Sequence, residues 1–245
     1  MEPREYDIMC RAQDTHWWYR GMARITEGII GQYFTGGQNI RILDAGCGTG
    51  AGMEILKPYG TVFGFDISER AIRLCRARGE NCLSVASLMA LPFEDEAFDL
   101  VACFDVLYFE GVDDCRALEE FTRVLVPGGK LFVRVPAFDW LRGIHDLKVS
   151  TGHRYTLKEL SCKLKQSGLD VKFMSYVNTL LFPLIALKRL SERWTAVQEH
   201  SDLTIRLGLL DQVFLYCLSL ESIVVRKISL PFGLSLVGLG EKLKK

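Results

Sequence analysis

The chain has 245 residues, 49% of them apolar, which is enough for one sizeable core with room for an appended subdomain. Thirty Lys and Arg balance thirty Asp and Glu, so no overall field favours nucleic acid and a generic nucleic-acid binder is not expected. Eight cysteines are scattered, with no Cys-x-x-Cys and no histidine at zinc-finger spacing; this predicts reduced thiols in a cytoplasmic protein and no metal site.

The opening stretch MEPREYDIMCRAQD is too polar for a secretory signal, and no uncharged apolar run reaches the ~20 residues of a membrane span. From about residue 39 to 135, short apolar runs alternate with helical patterns, as in a parallel sheet with crossover helices. IRILDAG is the first strand, and its Gly-rich turn opens a helix near Ala51. TVFGFDIS is the second strand, SERAIRLCRARG an amphipathic helix stopped by Gly79, LSVAS the third strand and FDLVACFDVL the fourth. DDCRALEEFTRVLVPGG reads as a helix closed by Pro127 and Gly128, followed by the strand KLFVRVPA. TLKELSCKLKQSG is a helix from a Thr cap to Gly168, LDVKFMSYV a strand, and FGLSLVGLG the last strand.

This pattern predicts a Rossmann-like α/β fold: seven strands, mostly parallel, with helices on both faces. Four segments follow from it: an N-terminal helical and aromatic lid (1–38), the core (39–177), a Leu-rich helical insertion (178–228), and the last strand and tail (229–245). The insertion reads as a lid on the core, a dimer interface or a membrane-facing surface.

The stretch ILDAGCGTGAG decides the cofactor. A strand, a Gly-rich turn and a helix bring backbone N–H groups to a ligand, and Asp66, twenty positions after Gly46, suits a ribose diol. Both features serve a nicotinamide dinucleotide as well as S-adenosylmethionine. Asp44 discriminates, because a carboxylate just ahead of the turn opposes a pyrophosphate and suits an ammonium and a sulfonium.

DAGCGTG, FDIS, LPFEDEAFDLV, DVL and RVLVPGGKLFV, in this order and spacing, resemble class I S-adenosylmethionine-dependent methyltransferases over roughly residues 40–135. The resemblance implies that Gly46, Cys47, Gly48 and Gly50 form the loop around the methionine end, with Asp44 holding the loop or reaching the amino group through water. It implies that Asp66 binds the ribose hydroxyls, that Ile67 packs on adenine, and that the Leu88 backbone meets the ring. Ser87 stands where many relatives carry an acidic residue, a departure that leaves a hydroxyl contact at best. Phe104 and Asp105 would lie near the transferable methyl. HWWYRG at 16–21, VPAFDWL at 135–141, HD at 145–146 and GHRYT at 152–156 resemble a bacterial subgroup of these enzymes whose acceptors are lipids, sugars or secondary metabolites.

An alcohol or acidic carbon acceptor needs a base, whereas a neutral amine does not. His145 and His153 follow the fifth strand, where ligands gather in an open α/β sheet, so either is a candidate base with Asp146 or Tyr155 to orient it. The alternative is that these residues pin the loop by hydrogen bonds. In HWWYRG, Arg20 could pair with the cofactor carboxylate and Tyr19 could hydrogen-bond it, while the tryptophans equally suit helix packing. The sequence thus predicts methyl transfer from S-adenosylmethionine to a small organic, lipid-like or lipid-linked acceptor, with peripheral contact to the inner face of a membrane as an option. A non-catalytic binding module and a nicotinamide-dependent oxidoreductase are the rivals.

Overall fold

The computed structural model describes residues 3–143, 146, 150–192 and 208–244. Seven strands, β1 (Ile40–Ala45), β2 (Gly60–Asp66), β3 (Leu83–Val85), β4 (Phe98–Phe104), β5 (Leu125–Pro136), β6 (Leu169–Val177) and β7 (Ser235–Lys242), form one sheet in the order β3-β2-β1-β4-β5-β7-β6. Strands β1 to β5 run parallel, and β7 is antiparallel between β5 and β6. The helices are α1 (Pro3–Ala12), α2 (Trp17–Ile30), α3 (Ala51–Leu56), α4 (Glu69–Ala77), α5 (Asp114–Val124), α6 (Leu157–Gln166), α7 (Phe182–Glu192) and α8 (Leu209–Val224).

Central strands read as unbroken apolar runs because both of their faces are covered. On one face Leu118 and Phe121 of α5 pack with Leu160 and Leu164 of α6. On the other, Ile25 and Ile29 of α2, Met53 of α3, Ile72 of α4 and Leu218 of α8 share a second cluster. Strand order reverses between β1 and β4, so a crevice opens at their carboxyl ends, the position where open α/β sheets bind ligands.

The second, third and fourth strands end two or three residues before the stretches read from the sequence, at Asp66, Val85 and Phe104, and two further boundaries differ. The helix expected to run to Pro127 and Gly128 ends at Val124, and β5 already begins at Leu125, which pairs with Phe98. Pro127 disfavours helical backbone at Val126, and pairing with β4 takes over one turn early. The last strand begins at Ser235 rather than Phe232.

Most of HWWYRG is explained by packing. The His16 Nδ1 accepts from the Trp18 N–H at 3.2 Å and caps α2. Trp17 meets Phe214 of α8 edge-on at 5.0 Å. A Cβ at Gly21 would stand 2.2 Å from Leu218 Cδ1, so glycine is what lets α8 lie against α2. Glu221 then ties α8 to the chain leading into α7: its carboxylate accepts from the backbone N–H groups of Asn178, Thr179 and Leu180, the latter two at 2.8 and 3.1 Å. Glu221→Ala orphans these donors, and chemical denaturation is expected to show a loss of about 3 kcal/mol. An unchanged midpoint would mean that the cap contributes nothing.

Candidate active site

The turn after β1 holds Gly46, Gly48 and Gly50 at φ of +78°, +53° and +91°, backbone that a side chain rarely adopts. Gly46 and Cys47 donate their N–H groups to the Phe65 carbonyl at 3.0 and 2.8 Å. A Cβ on Gly46 would stand 2.6 Å from Val106 Cγ2, so this glycine also lets the loop after β4 approach. Gly46→Ala should therefore weaken cofactor binding at least about tenfold, roughly 1.4 kcal/mol, a loss that titration calorimetry would read directly. Asp66 at the end of β2 braces the cradle, its two oxygens accepting from Gly48 N–H at 3.0 Å and Ser68 N–H at 2.9 Å. Burial raises its pKa.

Asp44 is 1% exposed, and neither carboxylate oxygen has a hydrogen-bond partner. Burial, and after it the negative charge of Asp66, push its pKa up to about 8. An unpartnered buried carboxylate is expensive unless a cation meets it. The cradle therefore fits a ligand bringing an ammonium and a sulfonium, and it opposes one bringing a pyrophosphate.

Asp105 follows β4 in left-handed backbone, φ +56°. Its carboxylate takes two bonds from Arg134 of β5, Nε at 2.7 Å and Nη2 at 2.6 Å. The guanidinium lies over Phe104 at 5.2 Å and over Trp18 at 5.7 Å, with Nη1 3.4 Å from the Thr26 hydroxyl. Tyr19 belongs to this cluster, its hydroxyl pKa raised first by burial and then by the charge of Asp105. Arg20, expected to pair with the cofactor carboxylate, is exposed, and the arginine beside Tyr19 and Asp105 is Arg134. The sequence reading missed Arg134, although a lone cation inside KLFVRVPA was the signal for it.

Helix α1, in the stretch expected to be a helical lid, lies beside the glycine turn. The Gln13 amide lies 2.5 Å from the Thr49 hydroxyl, Asp14 takes two bonds from Arg78 at 2.8 and 2.9 Å, and Asp7 pairs with Arg70 of α4. Met9 Cε would be 3.2 Å from a Cβ on Gly48. The polar face that argued against a signal peptide is the face that makes these bonds. On the adenine side of the expected pocket Ile67 is 73% exposed and Leu88 is buried. The Ser87 hydroxyl accepts from the Met89 N–H at 3.2 Å, so it serves its own turn. Cys47 and Cys103 are buried, and burial together with neighbouring acids raises the Cys103 pKa while Cys75 and burial raise that of Cys47, which keeps both thiols protonated and inert.

In the segment after β5, His145 lies outside the described residues. Asp146, expected to orient a histidine, instead pairs with Arg154 at 2.9 Å and accepts from Gly143 N–H at 2.7 Å. Tyr155 is buried and donates its hydroxyl to Asp114 at 2.6 Å, meeting His153 only by an edge-on ring contact at 4.7 Å. The His153 Nε2 is 2.8 Å from Glu159 and Nδ1 is 3.3 Å from Asp139, so both ring nitrogens face carboxylates. Thr156 caps α6 as expected, its hydroxyl accepting from Glu159 N–H at 3.3 Å.

Residues 43–133 match the family model described as "Methyltransferase domain". An uncharacterised protein of Methanocaldococcus jannaschii is 29% identical over 174 residues, covering 68% of this chain and 73% of that protein. The human probable tRNA methyltransferase 9B is 36% identical over 100 residues, which are 40% of this chain and only 22% of that protein. Among solved structures, the Haloferax volcanii complex of a methyltransferase with the Trm112 methyltransferase activator superposes with a TM-score of 0.62 at 20% identity, covering 99% of this chain and 95% of that one. At that identity the likeness shows the fold.

Proposed function

We propose that this chain, a class I S-adenosylmethionine-dependent methyltransferase with a methyltransferase-domain core, methylates an O or C atom of a small organic, lipid-like or lipid-linked acceptor. Its HWWYRG, VPAFDWL, HD and GHRYT stretches support a place in the bacterial subgroup they resemble. When bound, S-adenosylmethionine supplies an electrophilic methyl and leaves as a neutral thioether. Asp44 would answer the charge of the methionine end, Asp66 would bind the ribose hydroxyls, and Ile67 and Leu88 would meet the adenine.

The observation carrying the acceptor class is the wall just past β5. Phe138 stacks on Tyr176 at 5.0 Å, and Phe182 of α7 lies 6.1 Å from Phe138 and 6.0 Å from Trp140. Trp140 and Phe232 are the exposed members of this cluster, and an acceptor approaching from their side would meet aromatic surface, which suits an apolar body. The relatives named for tRNA match 38–40% of this chain and 22–23% of their own length, and the balanced charge of this chain gives no field for a polyanion. A cytoplasmic enzyme working at the inner face of a membrane fits this reading.

With a hydroxyl or acidic carbon as nucleophile, the proton goes to a base as the bond to the methyl forms. We assign that role to His145, and to His153 only if its carboxylate partners release a nitrogen. Asp146 and Tyr155 hold the segment in place through Arg154 and Asp114. His145→Ala should lower kcat about 10²–10⁴-fold with cofactor affinity retained. To test the acceptor class, labelled methyl from S-adenosylmethionine is offered to a polar-lipid extract and to bulk tRNA of the source cell. Label in the organic phase is expected, and label in RNA would overturn the reading.

A further inference from the structure

We infer that the outward faces of α7 and α8 dock on an anionic bilayer surface, with the aromatic wall at the lipid interface. This goes beyond the acceptor reading and stands without it, since a bilayer-bound enzyme can methylate a soluble acceptor. Helix α8 is apolar on both sides. Its inner side, through Phe214 and Leu218, packs with α2. On its outer side Leu209, Val213, Tyr216, Leu220 and Ile223 recur at spacings of four and three, all exposed and none charged, with Leu209 at 81%. Such a stripe is one face of a helix, and a contiguous apolar face in water marks an interaction site.

Helix α7 extends the face. Leu184 and Leu187 are exposed, Leu187 at 67%. Glu221 fastens the start of the α7 segment to α8, and Phe182 of α7 packs on Phe232 at 5.3 Å, so the exposed Leu180 and Phe232 lie where the two helices meet. The rim of the face is basic where α8 ends, at Arg226 and Lys227, both exposed. Glu221 of α8 is buried under its backbone donors. The whole chain has no net charge, so this exposed pair of cations is a local feature.

An apolar stripe with a basic rim and exposed Tyr216, Trp140 and Phe232 has the composition of a helix lying in a headgroup layer. A second copy is the other occupant such a face suggests. Anionic lipid complements the exposed Arg226 and Lys227, and self-association of the face is one of the outcomes the test reads. Among the described residues no helix is long and apolar enough to cross a membrane, so the contact is one of lying on the surface.

The test is co-sedimentation of the full chain with vesicles of phosphatidylcholine alone and of an equimolar phosphatidylcholine–phosphatidylglycerol mixture. Wild type should sediment with the mixed vesicles and at least about tenfold less with phosphatidylcholine, the preference shrinking as salt is raised. Leu187→Glu/Leu220→Glu should abolish binding to both, and Arg226→Glu/Lys227→Glu should remove the anionic preference, each keeping wild-type affinity for S-adenosylmethionine as proof of folding. The inference is overturned if wild type stays in the supernatant, if the leucine variant sediments like wild type, or if wild type is a dimer in solution that the leucine variant splits.

Discussion

Asp44→Asn is expected to weaken S-adenosylmethionine binding about 10- to 100-fold while making the cofactor-free protein more stable at alkaline pH. Both effects come from one buried carboxylate without a hydrogen-bond partner. Its folded pKa, about 8, lies above the ordinary value near 3.9, so the folded chain holds a proton that the unfolded chain releases. The sign follows: wild type has the full stability of this group below about pH 4 and loses it progressively as pH rises to about 8. Asparagine carries no charge, so the Tm gap between variant and wild type should open across that window and level off above it. Thermal denaturation from acid to alkaline pH checks the trend. A gap independent of pH would mean that Asp44 is not the titrating group. The loss of affinity reflects a charge-assisted contact worth about 1.5–3 kcal/mol.

Asp105→Ala should destabilise the fold by about 3–5 kcal/mol, because it leaves the Arg134 guanidinium buried without its counter-ion. Lowering of Tm by about 10 °C is the corresponding scale for a chain of this size. The double variant Asp105→Ala/Arg134→Met removes both charges and should recover most of that loss, since replacing a buried pair with apolar groups is often near neutral. Chemical denaturation of the two single variants and the double gives the coupling. Additive losses would show that the pair is not coupled. Activity should not return with stability in the double variant, because Asp105, Arg134, Tyr19 and Trp18 also shape the space at the end of β4.

The core was legible because its signals are local. A glycine turn between an apolar strand and a helix, Asp66 at the end of the next strand, and apolar runs bounded by turn residues each depend on neighbours in the chain. Thr156 was readable as a helix cap for the same reason, since it bonds to a residue three positions on. The boundary of β5 was misread because Pro127 looked like a helix stop, whereas the register between Leu125 and Phe98 joins residues far apart in sequence.

Site residues divide in the same way. Asp44 could be argued from charge alone, because the electrostatics of a turn are local. Arg20 was proposed for the cofactor carboxylate and is exposed, whereas the burial of Arg134 against Asp105 is a pairing between distant residues that no local pattern announces. Asp146 and Tyr155 were proposed as partners of a histidine, yet the fold gives them to Arg154 and Asp114, long-range contacts with no spacing rule. The contacts of the N-terminal segment were not readable, because Gln13, Asp7 and Asp14 find partners in Thr49, Arg70 and Arg78, all distant in sequence.

The central claim is that the turn after β1 is a cradle for a cationic cofactor, and calorimetric titration of wild type with S-adenosylmethionine and with NAD tests it most directly. Run near pH 7 in buffers of different ionisation enthalpy, the titration should show S-adenosylmethionine binding with proton release, as Asp44 ionises against the incoming charge, and no binding of NAD. Binding of NAD without S-adenosylmethionine would contradict the account, as would binding of S-adenosylmethionine with no proton exchange.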